Sequence, residues 1–347
     1  MKRENLKKAL IQFGKILNSL ATSTEFAGFQ SGLTESEFVQ LKTVINKEFQ
    51  YNPWFTKENV SSALSGISGM LEEDELDQVF SKYDKTDFPK RIAIIMAGNI
   101  PFVGFHDVLA ALVTGNIAIC KFSSEDSRIP PMLLKLLIEL NPEIKPFVEF
   151  SFGPVKNYDA VIATGSNNTI NTLKDYFKDK PALFRKNRTS IAVLDGSETR
   201  EDLEKLSDDC FQYFGRGCRN VGKLLIPEDF DVNRIFEGFL KQSDVINHHK
   251  YANNYDYQRT VFLMNQIPFL DNNAFMLKED EALHAPLSII YFQRYSNNNE
   301  VEAYISAHNE EIQAVVGNNY IPFGQAQNPK ILDFADGIDT FSWLEKL

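Results

Sequence analysis

Arg91–Phe122 reads RIAIIMAGNIPFVGFHDVLAALVTGNIAICKF. Arg91–Ala97 is a short apolar run without polar alternation, as in a strand buried on both faces. Gly98-Asn99-Ile100-Pro101 is a turn. Phe105–Val113 is apolar on a helical period and stops at Gly115-Asn116, and Ile117–Phe122 is a second apolar run. Strand, helix and strand within about thirty residues make a βαβ unit with parallel strands. The pattern continues downstream. Helices are expected at Pro130–Leu140, Thr169–Phe177, Thr199–Tyr213, Val232–Leu240 and Val301–Ile312. Strands are expected at Asp159–Ala163, Ser190–Leu194, Lys223–Ile226 and Pro286–Phe292, and the polar segment Asn247–Tyr257 reads as a surface loop. This alternation predicts an α/β fold with a mainly parallel sheet, whose ligand crevice lies at the carboxyl ends of the strands.

Upstream of Pro89 the chain reads as helices. Leu6, Leu10, Phe13, Ile16, Leu17 and Leu20 recur at three- and four-residue steps. Thr34-Glu35-Ser36-Glu37 has the form of a capping box, and further helices are expected at Lys57–Leu71 and Glu73–Tyr83. These helices carry no chemistry and read as a platform. A second α/β stretch opens near residue 195, which divides the chain into 1–194 and 195–347.

Composition limits the rest. The chain has 347 residues, 36 Lys+Arg against 47 Asp+Glu, a net charge of −11 and 43% hydrophobic residues. That is an ordinary globular balance, long enough for two domains. An acidic surface argues against non-specific nucleic-acid binding. No apolar stretch approaches the ~20 residues that span a bilayer. The start, Met-Lys-Arg-Glu, leads into a Lys-rich amphipathic segment with no secretory signal. Three cysteines are too few for a disulfide framework, so a reducing cytoplasm is expected.

Cys218 is the candidate nucleophile. It sits in Phe214-Gly215-Arg216-Gly217-Cys218-Arg219, where glycines permit close approach of a ligand and two arginines favour a thiolate. A thiolate on a glycine-rich turn is suited to attack a carbonyl or thioester. On local context alone, a small buried hydrophobe in a turn is an equal reading. Cys120 in an apolar strand and Cys210 in a helix read as core. His106, His248, His249, His284 and His308 show no zinc-motif spacing, so no metal site is expected. Asn99 at a strand exit is either an oxyanion donor or a plain turn residue. Thr164-Gly165-Ser166 opens a helix after a strand, a place for phosphate. Lys121 ends a strand beside Ser123 and Ser124 and could reach a ribose or phosphate.

The order of these signals resembles the aldehyde dehydrogenase superfamily, with its N-x-P turn, "AL…GN…K" segment, later phosphate-side turn and G-x-x-C nucleophile motif. The wording of Ala97–Leu109, Phe214–Leu224, Ala285–Tyr295 and Phe323–Pro329 (AGNIPFVGFHDVL, FGRGCRNVGKL, APLSIIYFQRY, FGQAQNP) resembles the LuxC-like acyl-CoA reductases within it. The resemblance covers about residues 90–340. It implies an aldehyde-dehydrogenase-like fold of two α/β domains, one Rossmann-like and dinucleotide-binding, prefixed by the N-terminal helices. It implies reduction of an acyl-CoA or acyl carrier protein thioester to the aldehyde. Cys218 would be the nucleophile, and the Asn99 amide with the Cys218 N–H the oxyanion hole. Lys121, Ser123 and Ser124 would lie on the adenosine-ribose side, and Thr164, Gly165 and Ser166 at the pyrophosphate. Where oxidising members carry a hydrolytic glutamate, this chain reads Leu183-Phe184-Arg185-Lys186-Asn187. Ser124, where an acidic residue commonly selects NAD, favours NADPH; NADH stays open because Glu125 is adjacent. Rival readings are a CoA-acylating aldehyde dehydrogenase running oxidatively and a non-redox acyl-transfer or acyl-holding subunit. Partner subunits or a homo-oligomer are compatible with either.

Overall fold

The computed structural model describes residues 1–23, 25, 26, 28 and 33–347. The chain divides into two units, one of Met1–Asn187 with Pro329–Leu347 and one of Arg188–Asn328.

The first unit begins with α1 (Arg3–Thr22), α2 (Glu35–Lys47), α3 (Lys57–Met70) and α4 (Glu73–Lys82). Leu6, Leu10, Phe13, Ile16, Leu17 and Leu20 are all buried on one face of α1, as the periodicity requires. The capping box forms: the Thr34 hydroxyl accepts from the Glu37 N–H, and Glu37 accepts from the Thr34 N–H. The α/β part follows as β1 (Arg91–Ile95), α5 (Phe105–Val113), β2 (Ile117–Lys121), α6 (Ile129–Leu140), β3 (Val148–Ser151), β4 (Ala160–Thr164), α7 (Asn167–Tyr176) and β5 (Ala182–Arg185). Its sheet is wholly parallel in the order β3-β2-β1-β4-β5. Strand order reverses between β1 and β4, which register Ile95 opposite Ala163.

The second unit holds β6 (Thr189–Val193), α8 (Arg200–Phe211), β7 (Val221–Pro227), α9 (Asn233–Gly238), α10 (His249–Met264), β8 (Leu270–Asp271), β9 (Met276–Glu279), β10 (Ile289–Tyr295), α11 (Asn298–Ala307) and β11 (Ile312–Val316). Its sheet runs β11-β6-β7-β10-β9-β8, parallel except for the β8–β9 pair. A last helix, α12 (Thr340–Glu345), belongs to the first unit.

Three readings differ from the sequence expectation. The division falls at residues 187 and 188, and the segment from Pro329 returns to the first unit. Its cause is pairing: β6 lies between β11 and β7, while Ile331, Phe341 and Leu344 are buried in the first unit's core. Asn247–Tyr257 is largely helix, because His248 caps α10 and Tyr251, Tyr255 and Phe262 bury a narrow aromatic stripe among polar residues. The helix expected to run to Ile312 ends at Ala307, and Ile312 opens β11. Among the described residues no helix is long and apolar enough to cross a membrane.

Candidate active site

In the first unit, the candidate cofactor residues collect at the carboxyl ends of three neighbouring strands, β2, β1 and β4. The chain leaving β1 is tied at once to β2, since the Met96 N–H donates to the Lys121 carbonyl at 3.0 Å. Gly98 then passes so close to the next turn that a Cβ there would lie 2.5 Å from Ser123 Oγ and 3.1 Å from Glu125 Cβ. Only glycine fits this approach. Asn99 is half-buried in the turn that follows. Phe102 closes the turn with φ 54°, and its N–H donates to Asp126 Oδ2 at 2.6 Å. Asp126 is buried, and desolvation, with the Glu48 carboxyl nearby, raises it to about 7. The Phe102 N–H offsets part of that rise.

Ser123 caps the short turn Ser124–Asp126 by accepting from the Glu125 N–H at 3.2 Å, and Asn52 donates to the Glu125 carbonyl at 3.0 Å. Thr164 ends β4, the Gly165 N–H donates to the Arg185 carbonyl, and the Ser166 hydroxyl caps α7 by accepting from the Thr169 N–H at 3.2 Å. Lys121, Ser123, Ser124, Thr164, Gly165, Ser166 and Asn99 thus share one edge at the β1–β4 reversal, where α/β sheets of this kind bind ligands. The glycine approach and the helix N-terminus suit a dinucleotide pyrophosphate.

Arg185, in the stretch where a hydrolytic carboxylate would stand, is buried. Its Nη1 donates to both Asp107 oxygens at 2.5 and 2.7 Å, and its Nη2 to the Thr340 hydroxyl at 2.7 Å.

Cys218 lies in the second unit, on the turn entering β7. Cys120 and Cys210 are buried and Cys218 is half-exposed. Desolvation raises both buried thiols. Three consecutive residues before the turn, Tyr213, Phe214 and Gly215, have φ of 55°, 59° and 75°. Non-glycine residues pay for this conformation, so the surroundings must impose it. Asn220 does much of that. Its Oδ1 accepts from the Gly217 N–H at 2.7 Å, and its Nδ2 donates to the carbonyls of Asp209, Cys210 and Gln212 at 3.0, 3.3 and 2.9 Å. The Ser190 hydroxyl donates to the Cys218 carbonyl at 3.1 Å, and Arg219 Nη1 donates to the Ala326 carbonyl at 3.4 Å.

Lys223, five residues after Cys218, is buried and donates to the carbonyls of Asp280 and Ala282. Burial pushes it down to about 8. His248, expected in a solvated loop, instead packs on the Phe214 ring at 4.2 Å and accepts the Tyr251 N–H at Nδ1. His284 pairs with Glu311 at 3.1 Å. Asp126, Asp209 and Asn220 were not legible as site residues, because an isolated polar residue in a turn or a helix has no periodic signal.

The profile of the acyl-CoA reductase (LuxC) family matches residues 43–237, over half of the chain. No curated protein matches in sequence. Solved structures of the same fold include an indole-3-acetaldehyde dehydrogenase of P. syringae in complex with NAD+, 11% identical, with TM-score 0.65 over 91% of this chain and 72% of that one. An NADP-dependent glyceraldehyde-3-phosphate dehydrogenase of Bacillus halodurans is 13% identical, with TM-score 0.63 over 91% and 74% of the two chains. Aldehyde dehydrogenase 21 of Physcomitrella patens is 12% identical, with TM-score 0.58 over 92% and 74%. The fold is therefore that of the aldehyde dehydrogenases. With its profile match spanning both the β1–β4 crevice and the Cys218 turn, the chain belongs to the acyl-CoA reductase (LuxC) family, oxidoreductases of acyl-CoA and aldehyde chemistry.

Proposed function

We propose that this chain reduces an acyl thioester, carried by CoA or an acyl carrier protein, to the aldehyde through an acyl-Cys218 intermediate, with NADPH as reductant. The observation that carries the reading is the Cys218 turn. Cys218 is the half-exposed one of the chain's three cysteines, on a backbone held by Asn220 and Ser190. The Cys218 sulfur attacks the acyl carbonyl carbon, the C–S bond to the carrier thiol breaks, and that thiol leaves. The Asn99 amide and the Cys218 N–H are assigned to the developing oxyanion, each such donor being worth about 3 kcal/mol. Gly98, Lys121, Ser123, Ser124, Thr164, Gly165 and Ser166 are assigned to the dinucleotide, which when bound supplies hydride to the acyl carbon. The carbon–Cys218 bond then breaks, releasing aldehyde and the thiolate. The stretch Leu183–Asn187 carries no carboxylate to activate water, which supports the reductive direction.

Oxidation of NADPH at 340 nm with acyl-CoAs of graded length, compared between wild type and Cys218→Ala, tests the reading. Expected is Cys218-dependent oxidation with aldehyde as product. Covalent acylation of Cys218 without oxidation of either NADPH or NADH would shift the assignment to an acyl-holding protein. A preference for NADH would transfer the ribose contact from Ser124 to Glu125, whose Cβ is close to Gly98.

A further inference from the structure

We infer that Asp209 is a positioning residue for Cys218, and that through it the Phe323–Pro329 segment acts as the second support of the nucleophile turn. The inference rests on Cys218 being the nucleophile. Asp209 lies near the end of α8 and is fully buried, 0% exposed. Both of its carboxylate oxygens are used on one segment: the Gly324 N–H donates to Oδ2 at 2.6 Å and the Ala326 N–H to Oδ1 at 2.9 Å. Its backbone carbonyl accepts from Asn220 Nδ2 at 3.0 Å, and the Oδ1 of that asparagine holds Gly217 beside Cys218. Arg219, on the other side of Cys218, reaches the same segment at the Ala326 carbonyl. The two segments and the end of α8 therefore form a closed loop of hydrogen bonds around the nucleophile.

The backbone supports the same conclusion. Asn220 has two amide hydrogens for three carbonyls, so one is shared, and these carbonyls belong to the residues that lead into the left-handed run Tyr213-Phe214-Gly215. A Cβ at Gly215 would lie 3.2 Å from the Cys210 carbonyl. Gly324, with φ 79°, lies against the Lys205 side chain on the same helix. The segment's main chain meets the Asp209 carboxylate and Arg219, and its Gln327 side chain donates to the Asp209 carbonyl at 3.5 Å.

Asparagine cannot replace Asp209 without loss. Its amide would set an NH2 group against the Gly324 or Ala326 N–H, two donors facing each other. The test uses the full chain as wild type, Asp209→Asn and Asp208→Asn. The last removes the same charge from the neighbouring residue, which bonds Lys241 and Gln242 instead. Three quantities are read: the rate of Cys218 acylation by an acyl-CoA, the rate of Cys218 alkylation by iodoacetamide, and the dissociation constant of NADPH. Asp209→Asn is expected to slow acylation at least tenfold and to change alkylation by a similar factor, with NADPH affinity within twofold. Asp208→Asn is expected to match wild type in all three.

A folded Asp209→Asn protein that is acylated and alkylated at wild-type rates would overturn the inference. If wild type is acylated by neither an acyl-CoA nor an acyl carrier protein thioester, the reductase reading fails while the alkylation arm still tests the support of the Cys218 turn. If Asp209→Asn does not fold, hydrogen exchange on wild type decides. Alkylating Cys218 should alter exchange at the Gly324 and Ala326 amides, and unchanged exchange there would refute the coupling.

Discussion

Thiol chemistry at the residue scale is set by burial. Cys120 and Cys210 lie in apolar surroundings that disfavour the thiolate, whereas Cys218 is half-exposed on its turn. Brief iodoacetamide treatment at neutral pH is therefore expected to add one adduct, at Cys218, and none to Cys218→Ala, as intact mass will show. Lys223 makes a second residue-scale prediction. Its ammonium is buried with two carbonyls and with the Tyr304 ring at 5.5 Å, and its value falls from 10.5 to about 8. Between those two values the unfolded chain keeps a proton that the folded chain has released. Stability from this group thus rises as pH increases through that window. The calorimetric stability of wild type minus that of Lys223→Met should grow between pH 8 and 10.5 by at most ~3 kcal/mol. A difference that is flat or shrinks with pH would mean Lys223 is not depressed.

A buried charge pair ties distant elements of the first unit together. Arg185 at the end of β5, Asp107 in the first turn of α5 and Thr340 at the start of α12 join three separate parts of the chain. Asp107→Ala leaves the guanidinium buried and uncompensated, a loss of about 3–5 kcal/mol. Adding Arg185→Leu to it should recover part of that loss, because the buried charge goes as well. Both tryptophans, Trp54 and Trp343, belong to this unit, so tryptophan fluorescence in urea follows it alone.

The same elements mark the limits of what the sequence discloses. β1, β2, β4, α5 and α6 were legible because each is apolar and bounded by glycine, proline or asparagine. β3, with the burial pattern of one buried and three half-buried residues, and β5, alternating along four residues, carry too little apolar signal. α10 was missed because tyrosines among asparagines do not stand out as an apolar stripe. In the candidate site, Cys218, Asn99 and the Thr164–Ser166 turn could be singled out by residue type and neighbours. The supports that shape them, Asp126, Asp209 and Asn220, depend on partners 24, 115–117 and 3–11 residues away. Such partners become visible only when the chain is folded.

At the scale of the whole molecule, chain order and spatial order diverge. Arg188–Asn328 is inserted into the first unit, which is completed only by the last residues of the chain. Phe341 is fully buried there, stacked on Tyr83 with centroids 4.7 Å apart and edge-on to His106 at 5.6 Å. The Tyr83 hydroxyl donates to Asp339 at 2.8 Å, and His106 Nε2 bonds the Ile331 carbonyl at 2.8 Å. The C-terminal segment is thus held by both apolar burial and hydrogen bonds to α5 and the end of α4. Phe341→Ala removes the largest single part of this contact and should cost about 3–5 kcal/mol. The loss belongs to the unit that carries the β1–β4 crevice. Unfolding followed by tryptophan fluorescence should shift to lower urea and NADPH should bind more weakly near the transition, while amide exchange in β6, β7 and β10 stays at its wild-type rate. Equal acceleration of exchange in both units would show that they unfold as one, and the C-terminal return would then stabilise the whole chain rather than the first unit alone.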